Sequence, residues 1–125
     1  SRIMLALKTI TAKQEKIGTF IFDEIDAGIS GKTAWKVSEK LGILGRTHQI
    51  ICITHLPQIA AMADHHFYIE KNATDHSTAT TITELSEADS LKELARLSGA
   101  AQLTESVLAN AKEMKDLAVF TRQDL

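Results

Sequence analysis

Cysteine, proline and aromatic residues are scarce in this 125-residue chain, and each scarcity removes a class of protein. A single cysteine, Cys52, excludes any internal disulfide. It lies in the apolar run Ile50-Ile51-Cys52-Ile53. That is the setting of a buried, inert thiol rather than of an electropositive, partly exposed nucleophile. One proline and six glycines leave no room for long disordered linkers. No basic excess exists either: 14 Lys and Arg face 16 Asp and Glu, for a net charge of −2. The usual electrostatic footprint of a nucleic-acid binder is therefore missing, which leaves DNA contact to a larger parent protein. No apolar stretch approaches the roughly 20 residues of a membrane span, and no basic-then-apolar leader opens the chain. A cytoplasmic location without a membrane partner is expected.

What is present is ordinary globular material. Hydrophobic residues make up 44% and charged residues 24%, enough for one small domain with a core. The chain opens without an initiator Met, in Ser1-Arg2-Ile3-Met4-Leu5-Ala6-Leu7-Lys8, already in a helical pattern. The expectation is a single partial domain over residues 1–125.

The apolar spacing sets the elements. Ile3, Met4, Leu7 and Ile10 predict a helix from Arg2 to about Lys13. Thr19-Phe20-Ile21-Phe22 predicts a strand buried on both faces, running into Asp23-Glu24. Asp26 to Gly31 reads as a loop. Lys32 to Leu44 reads as a helix whose buried stripe is Ala34, Val37, Leu41 and Leu44, with Gly45 as a C-cap glycine. Gln49 to Thr54 predicts a second buried strand, and Pro57 opens a short helix in whose first turn its missing N–H costs nothing. Strand, helix, strand, helix with short connections is a βαβ unit, which implies an α/β fold with a parallel sheet. Further on, His66–Lys71 and Thr78–Leu85 predict a hairpin at the sheet edge. Asp89 or Ser90 caps a helix that ends near Gly99. Thr104 starts a last helix with Leu108, Ala111, Met114 and Leu117 as its stripe.

Chemistry gathers at the strand ends. Ligands of open α/β sheets sit at the carboxyl ends of the strands, and the first strand ends in the acid pair Asp23-Glu24. One carboxylate there can hold magnesium while its neighbour acts as general base. Two acids after a strand are also common surface furniture, so the pair alone decides little. The loop Asp26-Ala27-Gly28-Ile29-Ser30-Gly31 follows at once, and its glycines permit positive φ and close backbone approach. The second strand ends in Thr54-His55, one βα unit away, where a histidine can bond a phosphate or orient a water. The remaining histidines, His48, His65, His66 and His76, show no Cys/His spacing of a zinc site. Trp35 reads as packing.

On these residues the chain resembles the C-terminal lobe of ABC-type ATPase heads of the SMC class, nearest to a bacterial DNA-repair branch. Three blocks carry the likeness. Phe22-Asp23-Glu24-Ile25-Asp26-Ala27-Gly28-Ile29-Ser30-Gly31 looks like a Walker B strand and D-loop. Ile53-Thr54-His55-Leu56-Pro57-Gln58-Ile59-Ala60-Ala61-Met62-Ala63-Asp64 looks like a switch-histidine segment. Ser1 to Lys8 looks like the helix after the family's signature motif. The resemblance implies a parallel-sheet P-loop NTPase half-domain with an edge β-hairpin and C-terminal helices. It implies ATP and Mg²⁺ as ligands of the complete head, with Asp23 on the metal, Glu24 activating water and His55 sensing the γ-phosphate. Asp26, Gly28, Ser30 and Gly31 would belong to the loop that meets a second head across an ATP-sandwich dimer. The N-terminal half of the same head and DNA, reached through the parent protein in double-strand-break repair, are the other implied partners, in a nucleoid-associated setting. One departure is plain: no G-x-x-x-x-G-K-[ST] loop occurs, so the phosphate cradle is absent. The fragment alone is expected to be inactive.

Two rival readings differ in class. A phosphohydrolase or nuclease would group Asp23, Glu24, Asp26 and His55 around two metals, but successive strand residues point to opposite sides. A receiver-like module would carry a further Asp at the end of the second strand, where Thr54-His55 stands instead.

Overall fold

A computed structural model of the chain describes residues 18–23 and 28–124. The expected helix over Arg2 to Lys13 lies outside the described residues. The elements are β1 (Thr19–Asp23), α1 (Gly31–Leu44), β2 (Gln49–Ile53), α2 (Pro57–Ala61), β3 (Phe67–Ala73), β4 (Thr78–Glu84), α3 (Glu87–Leu97) and α4 (Glu105–Asp124).

β1 and β2 pair in parallel, with Thr19 opposite Gln49 and Asp23 opposite Ile53. Residues that face each other in this register share a side of the sheet. Phe20, Phe22, Ile50 and Cys52 therefore form one face, and they pack with Val37, Leu41 and Leu44 of α1 and Ile59 of α2. Burying each phenyl ring stabilises by roughly 1.5–3 kcal/mol. The other face differs from the expected strands covered on both sides. Ile21 is 60% exposed, Ile51 45% and Ile53 43%. α1 and α2 both lie against the phenylalanine face, and among the described residues no second layer covers the isoleucines. Cys52 is accordingly half-buried at the rim of the core rather than enclosed.

α1 begins at an N-cap, Ser30, whose hydroxyl accepts from the Thr33 N–H at 3.5 Å, satisfying one orphan donor of the first turn. Gly45 is its C-cap, as expected, and sits at φ −65°, in the right-handed region. α2 has Pro57 at its start, as its missing N–H allows.

β3 and β4 form an antiparallel hairpin from Phe67 opposite Glu84 to Ala73 opposite Thr78. The turn is tied by Thr74, whose N–H donates to Ser77 O at 2.7 Å. The hairpin is a sheet of its own, not hydrogen-bonded to β1 or β2, which corrects its expected place at the parallel sheet's edge. α3 is capped by Ser86, which accepts from the Asp89 N–H at 3.1 Å, and not by Asp89 or Ser90. Ser86 precedes Glu87 and Asp89, two acids that favour a helix N-terminus, so the cap lies earlier than the apolar pattern suggests. In α4 the inward stripe is Val107, Ala111, Met114 and Ala118. The expected stripe shared Ala111 and Met114 but placed Leu117 inward, whereas Leu117 is 53% exposed. Small alanines face the tight contact with α2 and α3, where Leu94 and Ala95 leave little space.

Candidate site at the carboxyl end of the parallel strands

In-register parallel pairing sends β1 and β2 to a common edge. Asp23 is the last residue of β1, opposite Ile53, the last of β2, and Thr54 and His55 continue directly beyond. Asp23 lies on the open, isoleucine side of the strand, and His55 is also solvent-exposed. Thr54 shapes the turn that follows: its Oγ1 accepts from the Leu56 N–H at 3.1 Å, a local side-chain-to-backbone bond that holds the chain before α2.

Gly28 adopts φ +74°, the left-handed conformation expected of the loop glycines. Gly31 serves a different purpose. It is the first residue of α1, and a Cβ there would come within 2.9 Å of Gln58 Nε2. The side-chain amide of Gln58, in the first turn of α2, would have to shift to admit a Cβ there. Ser30, between them in function, is the cap of α1. Glu24 and Asp26, expected as the catalytic base and a loop residue, lie outside the described residues. Thus Asp23 ends β1, while Gly28, Ser30 and Gly31 lie between β1 and the start of α1 and His55 lies just beyond β2.

Among the described residues no three His, Cys, Asp or Glu side chains gather as a metal site. Asp23 offers an exposed carboxylate at a parallel strand's carboxyl end, and one or two such groups suffice for magnesium that retains waters and phosphate ligands.

At the C-terminal end of α2 lies a set of contacts that sequence spacing did not suggest. Lys115 Nζ on α4 donates to Ala61 O and Ala63 O, both at 2.9 Å, and Arg122 Nη1 donates to Met62 O at 2.9 Å. Arg122 also pairs with Asp64 at 2.8 Å. These cations take up the carbonyls left over at the end of α2. Burial, reinforced by the positive charge of Arg122, lowers the pKa of Lys115. Nearby, His66 Nδ1 lies 2.7 Å from Ser90 Oγ, and burial holds its imidazole below the ordinary 6.5 despite Glu93. Its neighbour His65 pairs instead with Glu84 at 2.8 Å, so the two adjacent rings part company as expected. Trp35 packs beside the second cluster of buried residues. No periodic signal marks Gln58, Lys115 or Arg122, because each acts on backbone or side chains distant in sequence.

The fold has a counterpart among solved structures. A chain from work on ATP-driven dimerization and DNA-stimulated activation of SMC ATPases superposes with a TM-score of 0.60 at 22% identity, covering 79% of this chain and 59% of that one. The likeness is one of fold. Sequence comparison is more specific. The chain is 50% identical over 117 residues to the DNA repair protein RecN of Haemophilus influenzae, 45% over 114 residues to that of Vibrio cholerae and 41% over 114 residues to that of Bacillus subtilis. These matches cover 94%, 91% and 91% of this chain. Over nearly its whole length the chain matches a segment of RecN proteins, and it spans about a fifth of those relatives' length (21%, 21% and 20%). No protein-family profile matches it. Among the described residues, no helix is long and apolar enough to cross a membrane.

Proposed function

We propose that this chain is the C-terminal lobe of an ATP-hydrolysing head in a RecN-type protein of DNA double-strand-break repair, acting in the cytoplasm at the nucleoid. One observation carries the reading: β1 and β2 run parallel and in register, so Asp23 and the Thr54-His55 pair leave the sheet at one edge. Phosphate chemistry in open α/β sheets is done at such edges.

Asp23 would hold magnesium through one oxygen or a bound water. Magnesium, when bound, neutralises charge growing on the terminal phosphates. Glu24 would take the proton of the attacking water, and His55 would donate a hydrogen bond to the γ-phosphate. The loop carrying Asp26, Gly28, Ser30 and Gly31 would face a second head across the nucleotide. The phosphate loop, and a strand beside β2, would come from the N-terminal half of the same head. That division explains why the isoleucine face and the outer edge of β2 lack cover among the described residues. DNA would be engaged by the rest of the polypeptide, since this segment carries no basic excess.

The test is reconstitution. This chain alone, with ATP and magnesium, should turn over nothing above background. Mixed with the N-terminal half of the head, it should restore hydrolysis, and Glu24→Gln should lower the restored rate by about 100-fold or more. Restored hydrolysis that ignores Glu24→Gln would remove the base assignment.

A further inference from the structure

We infer that Gln58 is a positioning residue that couples the His55 segment to the loop ending at Gly31, through the close approach of its side-chain amide to position 31, where any Cβ would oblige that amide to shift. The functional part of this inference rests on the ATPase reading above.

Three observations converge. A Cβ built on Gly31 would stand 2.9 Å from Gln58 Nε2 and 3.9 Å from Gln58 Cδ. The first distance is closer than real Cβ atoms come to a neighbour. Gln58 Oε1 is buried and has no hydrogen-bond partner among the described residues. A buried acceptor without a donor is uncommon and calls for a cause. Finally, Gln58 stands three residues beyond His55 and in the first turn of α2, while Gly31 opens α1 directly after the Ser30 cap. The amide therefore lies where two short segments meet, one from each strand end. A displaced loop would push on Gln58, and Gln58 would pass that displacement to the turn that carries His55.

The energetics give the inference a sign that can be reversed. In an ordinary first helical turn, replacing glycine with alanine is favourable, because alanine has the better helix propensity. Gly31 is at φ compatible with a helix, not in the left-handed region. Alanine at 31 should therefore help α1 unless Gln58 obstructs it.

The experiment is a double-mutant cycle in the full-length protein, read by ATP turnover and by thermal melting. Gly31→Ala alone is expected to lower kcat at least tenfold with KM for ATP changed less than threefold, and to lower the melting temperature. In the Gln58→Ala background, Gly31→Ala should lose its kcat penalty to within threefold and should raise the melting temperature. A fixed structural defect at position 31 would not be rescued by shortening a residue on another helix. If Gly31→Ala has the same effect in both backgrounds, the coupling is overturned. Should Gly31→Ala alone fail to yield folded protein, recovery of folded, active protein in the Gly31→Ala, Gln58→Ala double variant supports the coupling, and failure of the double variant to recover overturns it. Absence of ATP turnover in the wild-type protein would sink the ATPase reading, and the coupling with it. Turnover with an additive cycle would sink the coupling alone.

Discussion

Lys115 is the residue on which most converges. Its ammonium spans two carbonyls beyond the end of α2 while half-buried against Arg122. Lys115→Met keeps the aliphatic stem and removes the donors, leaving Ala61 O and Ala63 O to find water. A loss of about 1–3 kcal/mol is expected, read by urea unfolding. His66 offers a pH test. Burial lowers its pKa, so the folded state resists taking the proton. The stability that follows is present above the ordinary 6.5 and is lost as pH falls through the lower folded-state value. Melting temperature should thus drop between pH 7 and pH 5, and His66→Gln should flatten that part of the profile. Ser90, Glu93 and Lys115 surround the ring, and the same profile in Lys115→Met separates their shares.

At the scale of elements, α4 supplies the sharpest test of packing. Ala111 and Ala118 are almost fully enclosed, whereas Leu117 is on the outside. Ala118→Leu should cost about 1–3 kcal/mol through overpacking, and Leu117→Lys should stay within roughly 0.5 kcal/mol; equilibrium unfolding measures both. Leu117 also shows what the sequence could not convey. Spacing fixed α4 as a helix, but leucine and alanine compete for the inward positions, and only the space left by Leu94 and Ala95 decides between them. The β1 run was equally legible as a strand, yet its cover was not: Ile21 looks as buried as Phe20 until the helices are seen to share one face. Ser86 could have been found, since a serine three residues before Asp89 is a cap signal that the apolar pattern outvoted. The meeting of Gly31 with Gln58 had no local signal, because it joins residues 27 positions apart (58 − 31).

For the whole molecule, the isoleucine face has no cover among the described residues, and the chain spans about a fifth of its relatives' length. Concentration-dependent self-association is expected of the isolated chain, followed by light scattering. Ile51→Lys should reduce it while leaving the phenylalanine core intact, and should weaken reconstitution with the N-terminal half.

The two sheets also differ in how far apart in the chain their partners lie. Thr19 meets Gln49 across 30 positions (49 − 19), whereas Ala73 meets Thr78 across five (78 − 73). Closing a short loop takes far less time than joining distant segments. The hairpin should zip early during refolding, and the edge bearing Asp23 and His55 should be assembled late. Pulsed hydrogen exchange would then find amides of β3 protected while those of β1 still exchange, so the edge bearing Asp23 and His55 is the part of this chain most exposed to capture by other segments before it closes.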